Sequence, residues 1–240
     1  DQLFAAESRT TGREQVDITG LIGQYAHGNE PSHHMAYLYD YAGEPWKTQM
    51  RVRQIMDQFY KPAPDGLIGN EDCGQMSAWY VFSAAGFYPV TPGSTIYAIG
   101  SPLFPEVRFR LENGKTFVVK AHGVSERNSY IQSATLNGRP YQKSYLEYGD
   151  VMAGGELVCE TGPQPNRRWG SELVPVAQVA SSRQIPAPVI SAPQTFRRRS
   201  LVAVRSLQSG TLVYYTTDGS EPTSKSARFV KPFAIDSDTT

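Results

Sequence analysis

The sequence predicts an α + β multidomain architecture, and three observations carry that expectation. Residues 1–93 place apolar side chains at helical spacing between proline and glycine stops, and from residue 94 to 170 the period changes to two. Residues 171–187 are rich in Pro, Ser, Val and Ala without periodicity and read as a linker, after which 188–240 is strand-patterned again and reads as a small β module. A chain of 240 residues is long enough for a substantial core, and its 23 basic and 23 acidic side chains cancel. Zero net charge gives no electrostatic pull toward nucleic acid or an anionic membrane surface, and no apolar run is long enough to span a bilayer. The 14 Tyr and 3 Trp suit sugar stacking, and suit ordinary packing at least as well.

Asp1 to Ser8 reads as the end of a helix with Leu3, Phe4 and Ala6 inward, followed by a polar stretch. Asp17 to Glu30 is too rich in glycine for a helix and reads as a long structured loop, a class of segment that commonly carries function. Pro31 sits where a first helical residue belongs, His33 to Tyr41 has helical spacing, and Gly43 stops it. Pro45 opens a further helix through Lys61, with Trp46, Met50, Ile55, Met56 and Phe59 inward, and Pro62 and Pro64 end it. The glycine-bounded acidic loop Asp65 to Asp72 runs into a helix ending at Ala85 and Gly86, with Met76, Trp79, Tyr80 and Ser83 on one face.

In the second region Val107–Leu111 alternates, Asn113-Gly114 is a hairpin signal, and Thr116–Ala121 is the return strand. Asn137-Gly138 marks another hairpin between Ile131–Leu136 and Arg139–Tyr141, and Gly154-Gly155 precedes the strand Glu156–Cys159. Together these predict an antiparallel β region packed on the helices. Cys73 and Cys159 are too few for a disulfide framework or a zinc site, and a buried structural thiol is the expectation for Cys73. Arg197-Arg198-Arg199 reads as a solvated edge.

The chemistry concentrates in Asn70, Glu71 and Asp72. Asp72 and Gln75 have capping-box spacing, so Asp72 is expected to satisfy N–H groups of the following helix. Two readings fit: an ordinary N-cap with solvated acidic neighbours, or a catalytic carboxylate held at a pocket mouth by the helix it starts. Spacing does not decide between them.

The run Gly69-Asn70-Glu71-Asp72-Cys73-Gly74-Gln75-Met76-Ser77-Ala78-Trp79-Tyr80, preceded by Gly28-Asn29-Glu30-Pro31-Ser32-His33-His34, resembles the C-terminal part of the catalytic domain of glycoside hydrolase family 92. The similarity extends from about Gly20 to about Gly170 and includes Tyr37-Leu38-Tyr39-Asp40-Tyr41 and Pro45-Trp46-Lys47-Thr48-Gln49. These are calcium-dependent, exo-acting α-mannosidases that invert, and the resemblance implies the last helices of an (α/α)6 toroid beside the β region. Helical spacing alone fits any bundle equally well. Tyr214-Tyr215-Thr216-Thr217-Asp218-Gly219-Ser220-Glu221-Pro222 resembles the immunoglobulin-like module at the C-terminus of chitobiases, here a truncated β-sandwich accessory domain.

Carried over by motif, the resemblance implies Asp72 as general base, with Asn70 at a position often aspartate in the family and orienting water or base. It implies Glu30 and Asn29 as calcium ligands, His33 and His34 as lining the sugar subsite, and Glu71 in a supporting substrate contact. For each histidine a packed structural role is an equal expectation. The general acid and a further calcium-binding Gln have no convincing counterpart between Asp1 and Thr19, where Glu7 and Glu14 lack the surrounding motif. Both ends read as cut, so the chain is expected to be a fragment, and the two resemblances imply that its parent is a secreted, periplasmic or cell-surface enzyme acting on mannose-containing glycans. A non-catalytic carbohydrate-binding or adhesion protein is the alternative, and a different α/α-toroid glycosidase a third.

Overall fold

In the computed structural model, which describes residues 1–11, 15–176, 187–193 and 195–236, the chain divides into two units, Asp1–Gln178 and Val179–Thr240. The first unit opens with one helical turn, α1 (Gln2–Ala5), which buries Phe4 and leaves Leu3 and Ala6 exposed. The expected long loop is a short antiparallel ladder, β1 (Leu21–Ile22) with β2 (Tyr25–Ala26). Backbone bonds from His27 to Gly20 (3.0 Å) and from Gly28 to Thr19 (3.1 Å) continue it, so Asn29 and Glu30 leave from a fixed base. Residues 30–41 are not one helix. Two 3-10 turns, Glu30–Ser32 and Met35–Tyr37, precede α2 (Leu38–Tyr41), with Pro31 in the first turn.

The longest helix, α3 (Pro45–Phe59), ends when Tyr60 turns extended and bridges Leu67, ahead of Pro62. Its inner face is rotated from the expected one: Trp46, Met50 and Phe59 are half-buried, whereas Gln49, Val52 and Arg53 are buried with Ile55 and Met56. The polar pair is tolerated because its partners are fixed. Gln49 Oε1 accepts from the Ile131 N–H (3.0 Å), and Arg53 Nη2 donates to the Pro102 carbonyl (2.7 Å) and Ser101 Oγ (3.2 Å). These bonds tie the helices to the β region. The next helix, α4 (Gln75–Ala85), buries Met76, Trp79, Ser83, Ala84 and Ala85 and closes at the left-handed Gly86.

The β region comprises β3 (Phe87–Tyr88), β4 (Ile96–Ile99), β5 (Glu106–Arg110), β6 (Thr116–His122), β7 (Tyr130–Leu136), β8 (Arg139–Pro140), β9 (Tyr145–Glu147), α5 (Tyr148–Met152) and β10 (Gly155–Gly162). Asn137 and Gly138, at φ 51° and 74°, make the tight turn between β7 and β8 that their sequence announces. One sheet is β3-β4-β9, the other β5-β6-β10-β7-β8. The region is not purely antiparallel, because β10 runs parallel to β6 and antiparallel to β7. It reaches the centre of the sheet by way of β9 and α5, and there buries Leu157 and Cys159 beneath Phe117, Ile131 and Trp169. A second core, Tyr25, Tyr37, Val52, Ile55, Met56 and Trp79, lies among the helices, with Phe82 against both. The stretch expected as a linker begins in contact with this unit, since the Ser144 N–H donates to Leu173 (3.2 Å). Residues 177–186 lie outside the described residues.

The second unit holds a three-stranded sheet of β11 (Val189–Ser191), β12 (Ser200–Arg205) and β15 (Phe233–Ile235), and a ladder of β13 (Tyr214–Tyr215) with β14 (Ala227–Arg228). Tyr215 and Phe233 stack at 4.3 Å. Asp218 Oδ1 accepts from the Ser220 N–H (3.0 Å) and hydroxyl (2.6 Å), which holds its carboxyl below the usual range and shapes the Asp218-Gly219 turn. Arg197, Arg198 and Arg199 are exposed. Among the described residues no helix is long and apolar enough to cross a membrane.

Candidate functional site

Two segments meet at their glycines. A Cβ on Gly28 would lie 1.9 Å from Thr19 Oγ1, and one on Gly69 would lie 2.9 Å from the same oxygen and 3.4 Å from the Gly28 Cα. Gly28-Asn29-Glu30 and Gly69-Asn70-Glu71 therefore diverge from a single point of backbone contact, above the buried Thr19 hydroxyl, which has no hydrogen-bond partner. Only glycine permits the approach at residue 28.

The acidic loop enters α4 through three consecutive left-handed residues, Asp72, Cys73 and Gly74, with φ of 54°, 55° and 93°. This corrects the expected cap. Gly74 is the N-cap residue, and its side-chain-free position leaves the capping to Glu71. Glu71 accepts from the Ser77 N–H (3.0 Å) and the Ser77 hydroxyl (2.9 Å), which satisfies a first-turn donor and pins the carboxylate. Asp72 contributes only its backbone carbonyl, to the Gln75 N–H (3.1 Å). Its carboxyl is left half-buried and uncommitted to the helix. Cys73, expected to be buried, is exposed because the left-handed run turns it outward.

The Asp72 carboxyl is pushed above the usual carboxylate range by desolvation, then by the neighbouring carboxylates of Glu30, Asp17 and Glu71. Ion pairs among the described residues involve other groups and not these four. The loops thus bring Glu30 and Asp72 together as uncompensated negative charge. Asn70 is exposed on the same loop as Asp72, and Asn29 is half-buried beside Glu30.

His33 is 1% exposed. Its Nε2–H donates to the His27 carbonyl (2.9 Å), so Nδ1 is the acceptor for the Gln75 side-chain amide (3.0 Å). The same Gln75 nitrogen donates to the Tyr88 hydroxyl (3.1 Å). His33 therefore fastens the Asn29-Glu30 turn to the first turn of α4, the packed structural role that was its equal expectation. Burial lowers its pKa and keeps it neutral. His34 is half-buried and lines a separate, mainly apolar cleft with Leu3, Phe4, Met35 and Leu38.

The residue that sequence reasoning missed is His27. It is fully buried, with Nε2 2.7 Å from the Tyr60 hydroxyl and Nδ1 2.8 Å from the Tyr25 hydroxyl. Tyr60 spends its proton on the Met76 carbonyl (3.0 Å), so His27 donates from Nε2 and accepts Tyr25's proton at Nδ1. Burial, followed by the nearby His33, lowers its pKa to about 3. The Trp79 Nε1–H donates to the His33 carbonyl (3.1 Å) and its ring packs edge-on against His27 at 4.5 Å. Tyr25 and His27, two apart along a strand, share a face, and that period of two was the available signal.

A calcium ion takes six or more hard oxygens from carboxylates, amides and water. Glu30, Asn29 and Asp72 offer that donor chemistry, and among the described residues no ion pair involves Glu30 or Asp72. Among the described residues no three His, Cys, Asp or Glu side chains cluster tightly enough to hold a metal by themselves. These residues fit one side of a cation shell.

Residues 1–163 match the family model described as glycosyl hydrolase family 92 catalytic domain. Residues 191–240 match the chitobiase/beta-hexosaminidase C-terminal domain. The chain is 33% identical over 147 residues to an uncharacterized secreted glycosidase of Arthroderma benhamiae, covering 60% of this chain and 19% of that protein. Among solved structures it is similar to a family GH92 α-mannosidase from Bacteroides thetaiotaomicron in complex with mannoimidazole, with TM-score 0.70 and 47% identity over 73% of this chain and 23% of that one. A family GH92 inverting mannosidase from the same organism matches with TM-score 0.61 and 49% identity over 65% of this chain and 21% of that one. The chain thus spans about a fifth of the length of the relatives it matches.

Proposed function

Because the chain belongs to glycosyl hydrolase family 92, we propose that the protein carrying it is a calcium-dependent exo-α-mannosidase that removes terminal mannose from glycans with inversion. The substrate class is supported by the mannosidases among its structural relatives, one of them in complex with mannoimidazole. Secretion, to the periplasm or beyond the cell, is supported by the relative described as a secreted glycosidase. The observation that carries the reading is the Asp72 carboxyl, free of the helix cap and set beside Glu30 on rigid supports.

Asp72 is the general base. Ionised, its raised pKa makes it a stronger acceptor for a proton of the attacking water. Water adds to the anomeric carbon from the face opposite the leaving group as the glycosidic bond breaks, which inverts the centre. The leaving oxygen takes its proton from an acid carboxyl roughly 6.5–9.5 Å across the bond. Glu7 and Glu14 lack the family motif around them, so the acid is assigned to a segment beyond this chain. Asn70, one residue from the loop's contact with Gly28, orients the water. Glu30 and Asn29 would hold the calcium, which when bound supplies charge for the sugar hydroxyls and ring distortion. Glu71 supports the substrate from the opposite side of the loop, and the C-terminal module is an accessory spacer.

Mannose release from an α-1,2-linked mannobiose, measured in excess calcium and again in chelator, tests the cofactor. The rate falls by about tenfold or more in chelator and returns when calcium is restored. Equal rates in both would remove calcium from the proposal.

A further inference from the structure

A cleft of about 550 Å³ is lined by Tyr60, Pro62, Pro64, Leu67, Glu71 and Tyr80 among others, and neither Glu30 nor Asp72 lines it. That volume is within the range of small-ligand sites. Its walls are fixed without a ligand. The Lys61 N–H donates to the Gly66 carbonyl (2.9 Å) and the Gly66 N–H to Ala63 (2.9 Å), which closes the loop on itself. A Cβ on Gly66 would lie 1.9 Å from the Lys61 carbonyl oxygen, so the closure depends on glycine. Tyr60 is held by His27 and Met76, and Tyr80 stacks on it at 4.7 Å. Glu71 is held by both of its bonds to Ser77. Side chains frozen in this way lose little entropy when a ligand arrives.

The lining decides the ligand class. Lys61 and Glu71 balance, so the cleft favours neither an anion nor a cation. The Tyr80 and proline rings offer apolar faces, Tyr60 being stacked on both Tyr80 and Trp79, and the Glu71 carboxylate offers acceptors at the edge. A neutral pyranose presents that combination, a C–H face ringed by hydroxyl donors. We propose that this cleft is a second carbohydrate subsite, taking a neutral hexose unit of a glycan separately from the Glu30–Asp72 centre. It rests on the mannosidase reading only for the choice of mannose as the probe.

The test is a titration of the ¹⁵N-labelled 240-residue chain with methyl α-mannoside and with α-1,2-mannobiose. Amide shifts are expected at Lys61, Gly66, Leu67, Ser77 and Tyr80. Tyr80→Ala weakens them by about tenfold, in line with the loss of one stacking ring, whereas Tyr80→Phe and Asp72→Asn leave them unchanged. Unaltered dispersion of the Trp79 and Trp169 indole signals shows that Tyr80→Ala is folded, and Tyr80→Phe supplies the matched control. Absence of shifts at the cleft, or shifts confined to residues 29–30 and 70–72, overturns the subsite. The second of those results leaves the mannosidase reading standing. Cleft binding together with no mannose release from the parent protein would do the reverse.

Discussion

Asp72→Asn is expected to lower mannose release by about 10²–10⁴-fold, the range that a positioned general base supplies, with little change in stability. The separation follows from the loop's geometry. Asp72 is left-handed, at φ 54°, and asparagine adopts that conformation as readily. Its side chain caps nothing, so the helix start survives the change. Glu71→Ala should act chiefly on stability, with a smaller loss of rate through its supporting substrate contact. It removes the acceptor for the Ser77 N–H and costs about 1 kcal/mol of stability, while the water-activating carboxylate stays in place. Rates and denaturation midpoints of both variants, set beside the wild type, check the assignment. Activity that falls with Glu71 and not with Asp72 would interchange their roles.

The second large effect is on stability in acid. His27 titrates near 3 in the folded chain against 6.5 when free. Its contribution is fully present above about pH 6.5 and is lost as pH falls toward 3, because the unfolded chain binds the proton first. The loss is about 1.4 kcal/mol per pH unit, or about 2 kcal/mol by pH 5. His33, also lowered by burial, adds in the same direction. Asp40 opposes them. It is wholly buried with neither carboxylate oxygen hydrogen-bonded, and burial raises its pKa well above the usual range, so it favours the folded chain as pH falls. Comparison with His27→Gln removes Asp40, which cancels in the difference, and leaves His27 together with its coupling to His33. The stability gap between wild type and variant should narrow by about 2 kcal/mol between pH 6.5 and pH 5. A gap independent of pH would mean that His27 is not held neutral by the fold.

The helical and strand regions were legible because periodicity, prolines and Asn-Gly turns are local signals. α3 begins at Pro45 and ends ahead of Pro62 as its sequence announces. Its buried face was misread, since counting apolar residues favours Trp46 and Met50, whereas Gln49 and Arg53 turn inward for partners 49 to 82 residues away. The capping of α4 was misread for a related reason. An aspartate three residues before a glutamine looks like an N-cap, but the left-handed run through Gly74 moves the helix start and hands the capping to Glu71. The parallel placement of β10 depends on which edge of the sheet is open when the chain returns, and no residue in Gly155–Gly162 encodes that. At the site, both motif segments were visible in the sequence. Their contact through Gly28 and Gly69, and the fastening of one to the other by His33 and Gln75, appear only when residues 41 and 42 apart in sequence are brought together.

The central claim is a single displacement at the anomeric carbon with Asp72 as base, and the anomer first released reads it directly. Proton NMR of the protein carrying this chain, acting on an α-linked mannobiose and sampled before mutarotation, is predicted to show β-mannopyranose appearing ahead of α. The α anomer appearing first would mean a covalent glycosyl-enzyme and two displacements, with Asp72 acting as nucleophile or not at all. It would contradict the account.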